Sequence, residues 1–221
     1  MGKILETRRE LVDKALRGIV SDLECRCNPT LLSAINYALL PGGKRIRPLV
    51  CIKAYEYVGG KSQGILPYAC ALEMVHTASL IKDDLPAMDN HQERRGKQSL
   101  WKHFGEATAM MASDMLSAEA YRILLIQPEP YPIIEVLNAV ISMIGGQCLD
   151  CLGIKSAEVN RLKTASLFEA CFVIGGIVGK GTDEQLTSLR RQGYRYGLEF
   201  QVLDDMKDGS EDRVSERPRI S

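Results

Sequence analysis

The sequence predicts an all-α protein: a single helical bundle spanning residues 1–221 and enclosing a central cavity. Apolar residues recur at three- and four-residue intervals in nearly every segment, and strict alternation over four to eight residues is hard to find. The breaks between segments are glycine pairs and prolines rather than polar linkers. No low-complexity stretch and no short repeat divides the chain, so one bundle, with its site between facing helices, is the simplest architecture.

Taken in order, the pattern predicts helices over 4–24, 29–40, 47–58, 65–84, 106–126, 132–151, 159–179 and 184–208. Pro41 and Gly42–Gly43 end the second, and Pro48 falls in the first turn of the third, where a missing N–H is tolerated. Gly59–Gly60 closes the third, and Pro67 lies in the first turn of the fourth. Pro128, Pro130 and Pro132 separate 106–126 from 132–151. Gly145–Gly146 reads as a further break, whereas Gly175–Gly176 is placed inside a helix.

Lys+Arg and Asp+Glu are both 28, a balance that argues against a nucleic-acid binder or a membrane-surface protein and leaves only local clusters informative. Seven cysteines, at spacings unlike a disulfide framework, fit a reducing compartment in which thiols act as small apolar fillers. Cys148-Leu-Asp-Cys151 lacks the second half of a four-ligand zinc pattern and reads as packing. Residues 1–20 carry acidic groups and no apolar core of a signal peptide, so the expected location is the cytoplasm; a processed organellar protein reads the same way. No stretch approaches the roughly 20 apolar residues of a membrane span.

Two aspartate clusters 121 residues apart, Asp83-Asp84-Leu-Pro-Ala-Met-Asp89 and Asp204-Asp205-Met-Lys-Asp208, each end a long apolar stretch. Unpaired carboxylates are costly to bury, so the clusters imply cations that come to meet them. Mg2+ is typically held by one or two carboxylates, waters and the oxygens of a phosphorylated substrate. At 100° per residue Tyr194, Gly197, Gln201, Asp204 and Asp208 share one helix face; Asp208 also sits where Lys207-Asp208-Gly209-Ser210 reads as a helix end. In the first cluster His76 and Asp83 nearly superimpose in projection, with Ser79 about one turn from each. Pro86 prevents a regular continuation, so Asp89 is expected to return to the same ion across a kink.

Two basic runs accompany the acidic ones. Pro41-Gly-Gly-Lys-Arg-Ile-Arg-Pro48 places Lys44, Arg45 and Arg47 in a rigid turn, and Arg94-Arg95-Gly-Lys97 follows Asp89 closely. Guanidinium forks and ammonium groups both suit phosphate. The phosphate-binding loop pattern G-x-x-x-x-G-K-[ST] is absent. Two acidic and two basic runs in a neutral chain describe a site for two anions, one held through metal and one directly.

Through PGGKRIRP, HTASLIKDDLPAMDN with RRGK, GGQCLD, KTASLF and YGLEFQVLDDMKD, the chain resembles the trans-prenyl diphosphate synthases of the farnesyl and geranylgeranyl type over about residues 29–210. The resemblance implies an isoprenoid synthase fold and a Mg2+-dependent condensation of isopentenyl diphosphate with an allylic diphosphate to a C15–C20 product. It implies three Mg2+ ions held by Asp83, Asp89, Asp204 and Asp208. Arg94, Lys163 and Gln201 match residues that hold the allylic diphosphate, and Lys44, Arg47, His76 and Arg95 match those that bind isopentenyl diphosphate. Asp84 and Thr164 complete the catalytic set. Ala78 and Ser79, about one turn before Asp83, are the expected floor of the product chain, with Met110, Met111 or a subunit neighbour as the alternative, and both small side chains leave room for C20. Lys82 departs from the family pattern, and the sequence ends 13 residues after Asp208 with no match to a later family lysine. The same motifs therefore leave a second role open, a weak or silent homologue that partners an active synthase, in a homodimer or a hetero-oligomer. A terpene cyclase would leave Lys44, Arg47 and Arg95 unexplained.

Overall fold

A computed structural model describes the backbone of residues 2–154 and 156–208, with side chains for 6–154 and 156–200. It comprises two compact units, the first built from residues 1–49 and 66–127, the second from residues 50–65 and the chain from Pro128 onward.

In the first unit, α1 (Gly2–Asp22) buries Val12, Leu16 and Val20, the four-residue spacing that lays one stripe along a helix. Helix α2 (Pro29–Leu39) begins where Asn28 Oδ1 accepts from Leu31 N at 2.9 Å, a side-chain cap followed by proline at the first helical position. Helix α3 (Ile46–Tyr57) starts here and continues into the second unit. Helix α4 (Leu66–Asp83), led in by a short 3-10 turn at Gln63–Ile65, is buried on nearly every face from Tyr68 to Val75, so it forms the core around which α1 and α6 pack. A two-stranded hairpin follows, β1 (Glu93–Arg94) against β2 (Lys97–Gln98). Its connecting residues Arg95 and Gly96 have φ of 55° and 74°, the pair of positive values that a two-residue hairpin turn requires. Helix α5 (Leu100–Phe104) and helix α6 (Glu106–Leu125) are separated by Gly105 at φ 85°.

In the second unit, α7 (Pro132–Cys151) and α10 (Asp183–Asp208) pack against α9 (Ser166–Val178), whose Leu167, Phe168, Cys171 and Ile174 are fully buried. Helix α8 (Ala157–Asn160) leads through a π-turn, Arg161–Ala165, into α9. The helices match the sequence pattern closely; the hairpin, α5 and the π-turn were not foreseen. Gly145–Gly146, expected as a break, lies inside α7, and Gly175–Gly176 lies inside α9 as expected. A Cβ on Gly175 would stand 2.3 Å from Cys51 O, so close helix packing, not chain reversal, explains that glycine.

Two expectations are corrected. Of the seven free cysteines, Cys51, Cys70 and Cys171 are buried fillers, but Cys25 and Cys148 are exposed. By length and composition two helices are apolar enough to cross a membrane, Gln63–Asp83 and Pro132–Cys151, with mean hydropathy 1.3 and 1.5. The first is 67% buried, as the core role of α4 requires; the second is 33% buried and carries an exposed stripe of Ile134, Leu137, Ile141 and Ile144.

Candidate active site

The first aspartate cluster is built by the end of α4. Pro86 lacks an N–H and disfavours helical geometry at Leu85, and the helix stops at Asp83. The chain then folds back: Leu85 N donates to Lys82 O, Met88 N to Leu85 O, and Asp89 N to Asp83 O at 2.9 Å. That last bond places the Asp89 backbone against that of Asp83, the return across a kink that the proline implied. Both side chains are half-buried, whereas Asp84 is buried at 3% exposure. Asp84 is occupied by a guanidinium: Arg94 Nε donates to both its oxygens at 3.1 Å, Arg94 Nη2 donates to Oδ1, and His91 Nδ1 lies 3.3 Å away. Burial works to lower the Arg94 pKa, but the hydrogen bonds and charge of Asp84, with Asp83 and Asp89 adding to them, hold it above the usual arginine value. Asp84 thus orients Arg94 while Asp83 and Asp89 flank it. Lys82, the departure from the family pattern, pairs with Asp114 of α6 at 2.9 Å.

The basic residues converge on His76 in the same unit. Arg47 Nη1 lies 2.9 Å from His76 Nε2, and Arg95 Nη1 donates to Gly42 O at 2.8 Å. Gly43, at φ 149°, would bring a Cβ within 3.2 Å of the Arg95 guanidinium, so the glycine turn and Arg95 are in close contact. Lys44 is exposed beside them. Lys97 braces the hairpin, its Nζ donating to Tyr37 O at 2.6 Å and lying 3.6 Å from the Tyr37 ring centroid. Burial, then the charges of Arg47, Arg95, Arg94 and Arg45, push His76 well below the ordinary histidine value of 6.5. Arg95 is lowered by burial and by Arg45 and Arg94, with Glu73 acting against them, and no carboxylate pairs with it among the described residues. The arrangement gathers guanidinium groups around a neutral imidazole.

The neutral imidazole gives a pH dependence. Because the folded pKa lies below the unfolded one, the unfolded chain takes up this proton first as pH falls through 6.5, and folding stability is lost toward the folded value. The urea midpoint should fall below pH 6.5 with a His76 contribution of at most about 1.4 kcal/mol per pH unit. A His76→Asn chain should lack that component; an identical slope in both chains removes His76 as its source.

In the second unit the π-turn carries Lys163 and Thr164. Lys163 Nζ donates to Asp150 Oδ2 of α7 at 2.9 Å, both groups being partly buried. A Cβ on Gly146 would lie 2.8 Å from Lys163 N and from Leu162 Cβ, so the glycine admits the turn against α7. Gln147 Oε1, next to it, is buried with no hydrogen-bond partner among the described residues. A π-turn offsets one residue of the helical register and is common at functional sites. Gly197 of α10 faces the same turn, a Cβ there lying 2.5 Å from Ala165 Cα. Gln201, Asp204 and Asp208 follow in the same helix, and their side chains lie outside the described residues.

Ala78 is buried at 2% exposure with its carbonyl accepting from Ser113 Oγ of α6 at 2.8 Å, while Ser79 is half-buried with its hydroxyl on His76 O at 2.9 Å. Met110 and Met111 are exposed, at 47% and 57%. Sequence reasoning missed Asp150, Asp13 and Glu73 as partners of site cations; the signal available was the spacing of Glu73 one turn before His76.

Among the described residues no group of three or more histidine, cysteine or carboxylate side chains forms a metal cluster. Asp83 and Asp89 alone still suit Mg2+, which needs only one or two carboxylates when phosphate oxygens supply the rest. A mainly helical chain with paired carboxylates at one helix end and a glycine-turned cluster of cations brings together groups chemically suited to a metal ion and a phosphorylated ligand. The polyprenyl synthetase family pattern matches residues 28–217, and the chain belongs to that family. It is 40% identical over 223 residues to the heterodimeric geranylgeranyl pyrophosphate synthase large subunit 1, chloroplastic, of Arabidopsis thaliana, covering 91% of this chain and 59% of that protein. It is 42% identical over 202 residues to the chloroplastic geranylgeranyl pyrophosphate synthase 11 of the same plant, covering 82% and 57%. The chain therefore spans somewhat over half the length of these relatives. An FPP/GFPP synthase from Zymomonas mobilis superposes with a TM-score of 0.83 at 31% identity, covering 96% of this chain and 84% of that one. A geranyltranstransferase from Thermotoga maritima superposes at 0.84 with 30% identity, covering 92% and 78%.

Proposed function

We propose that this chain carries the catalytic core of a Mg2+-dependent chain-elongating prenyltransferase that joins isopentenyl diphosphate to an allylic diphosphate and yields a C15–C20 product. The observation that carries the reading is the cationic cluster around His76, in which Arg47 lies 2.9 Å from the imidazole and Arg95 is crowded by Arg45 and Arg94 with no carboxylate paired to it among the described residues. A bound diphosphate relieves that crowding. Lys44, Arg47, His76 and Arg95 hold isopentenyl diphosphate, His76 as a neutral donor. Arg94, fixed by Asp84, and Lys163, fixed by Asp150, hold the allylic diphosphate with Gln201, and Thr164 shares the π-turn with Lys163. Asp83, Asp89, Asp204 and Asp208 hold Mg2+, three ions when substrate is bound. Bound Mg2+ neutralises the diphosphate and stabilises the charge it gains on leaving. The allylic C–O bond ionises, the isopentenyl double bond attacks the cation at C1, and the released diphosphate takes the proton that is lost. The protein supplies no covalent nucleophile; its cations bind and align both diphosphates and its apolar walls exclude water.

Ala78 and Ser79 bear on product length. Ala78→Phe should shorten the product distribution and cost about 1–3 kcal/mol of stability by overpacking a closed position. An unchanged chromatographic product profile would remove Ala78 from the floor.

The exposed stripe of α7 supports association with a second synthase subunit, a copy of itself or a homologue. The chloroplastic names of the relatives favour an organellar place of action over the cytoplasm. Incubating the purified chain with labelled isopentenyl diphosphate, allylic diphosphates and Mg2+, with light scattering on the same sample, tests the reading. An elongated product supports it. No product, with tight binding to a second synthase, assigns the chain to the partner role instead.

A further inference from the structure

We infer that Arg45 is a positioning residue of the isopentenyl-side anion site: a buried strut that sets the turn bearing Lys44 and Arg47 while making no contact with the anion. The inference rests on the proposed reading of that site and goes beyond it, since neither Arg45 nor its two carboxylates match a substrate-binding position.

The side chain of Arg45 is fully enclosed, at 0% exposure, although it lies between exposed Lys44 and half-buried Arg47. Each of its three nitrogens already donates a hydrogen bond. Nε donates to Asp13 Oδ1 of α1 at 2.9 Å, Nη1 to Glu73 Oε1 of α4 at 2.8 Å, and Nη2 to Leu39 O at the end of α2 at 2.7 Å. One guanidinium thus ties together three helices. Its planar fork makes this possible; an ammonium has neither the reach nor the fixed donor geometry. The backbone bears the cost. Arg45 has φ of 49°, in the left-handed region that non-glycine residues seldom occupy and that persists only where the surroundings over-determine it. Gly42 and Gly43, at φ 88° and 149°, add two further positive-φ residues to the same turn. The turn therefore presents Lys44 outward because Arg45 is drawn inward.

The same strut reaches the rest of the site. Glu73 precedes His76 by three residues on α4, and His76 meets Arg47, so the guanidinium fixes both ends of the Arg47–His76 contact. Arg95 closes the opposite side through Gly42 O. A small displacement of Arg45 would move Lys44, Arg47 and the Gly42 carbonyl together. Arg94 is held separately by Asp84, so the allylic-side cation is not tied to this strut.

The test is Asp13→Asn in the full chain, a substitution that keeps an acceptor at a partly exposed position outside the substrate-binding set. Isopentenyl diphosphate binding is read by calorimetry, and KM is measured separately for each substrate with Mg2+ present. Affinity for isopentenyl diphosphate should fall about tenfold, with KM for it rising in step, because a displacement of this kind weakens a multipoint contact. KM for the allylic substrate should not move. Glu73→Gln, read below its melting temperature, should give the same split, which an ion pair acting only on stability would not. Equal changes in the two KM values, or no change in either, overturn the inference. A wild-type chain that binds no isopentenyl diphosphate overturns the proposed site and this inference with it. Wild-type binding matched by equal binding in both variants overturns this inference alone.

Discussion

Asp83→Asn should lower kcat about a thousandfold at saturating substrate, with the melting temperature nearly unchanged. Asn conserves shape at a half-buried position and removes only the charge. Taking away a preorganised group that stabilises developing charge costs roughly 10²–10³ in turnover, and a group that also recruits Mg2+ falls at the upper end. Asp89→Asn should behave alike, because Asp89 N is bonded to Asp83 O and both carboxylates act on Arg94. Two neighbours separate this explanation from general disturbance of the helix end. Lys82→Ala breaks only an exposed pair with Asp114 and should leave turnover and stability nearly intact. Asp84→Ala removes the buried carboxylate that holds the half-buried fork of Arg94, so it should raise KM for the allylic substrate and lower stability together. Full turnover by Asp83→Asn in an assay with Mg2+ would remove this cluster from the metal site.

The part of this cluster legible in the sequence is that set by backbone rules. Pro86 announces where α4 stops, so the return of Asp89 to Asp83 follows from its position alone. Helix limits follow for the same reason, since periodicity and prolines act locally. Asp84 illustrates what is not legible. It differs from Asp83 by one position, and only the packing that buries it and brings Arg94 back through a hairpin separates an orienting carboxylate from a flanking one. That hairpin has two residues per strand, too few for alternation to register, and its turn uses Arg95 where Asn or Asp is customary. The glycine pairs make the same point: 42–43 turns the chain, while 146 and 175–176 sit inside helices for the sake of what packs on them, which no local signal reveals. The apolar segment around Cys148 suggests a filler thiol, yet α7 leaves that residue exposed.

Gly146→Ala should cost about 10²-fold in kcat/KM and lower the melting temperature, although alanine is the better helix former. Within a regular helix the exchange ordinarily gains about 0.5–1 kcal/mol. Here the new Cβ would stand 2.8 Å from both Lys163 N and Leu162 Cβ, and 3.1 Å from Leu162 C. The obstructing atoms include the backbone of the π-turn, so no rotamer change relieves them; α7 and the turn must separate by several tenths of an ångström. Lys163 moves with that turn, and its 2.9 Å contact with Asp150 is made from the next turn of the same α7 helix, so the ammonium would leave the position proposed for it on the allylic diphosphate. Misplacement on the order of 1 Å suffices for about a hundredfold loss. Gly145 supplies the control: nothing lies within 4 Å of a Cβ built there, so Gly145→Ala should raise stability by about 0.5–1 kcal/mol and leave kcat/KM unchanged. If Gly146→Ala stabilised the chain as Gly145→Ala does, with activity retained, the approach of the π-turn to α7 would not be what places Lys163.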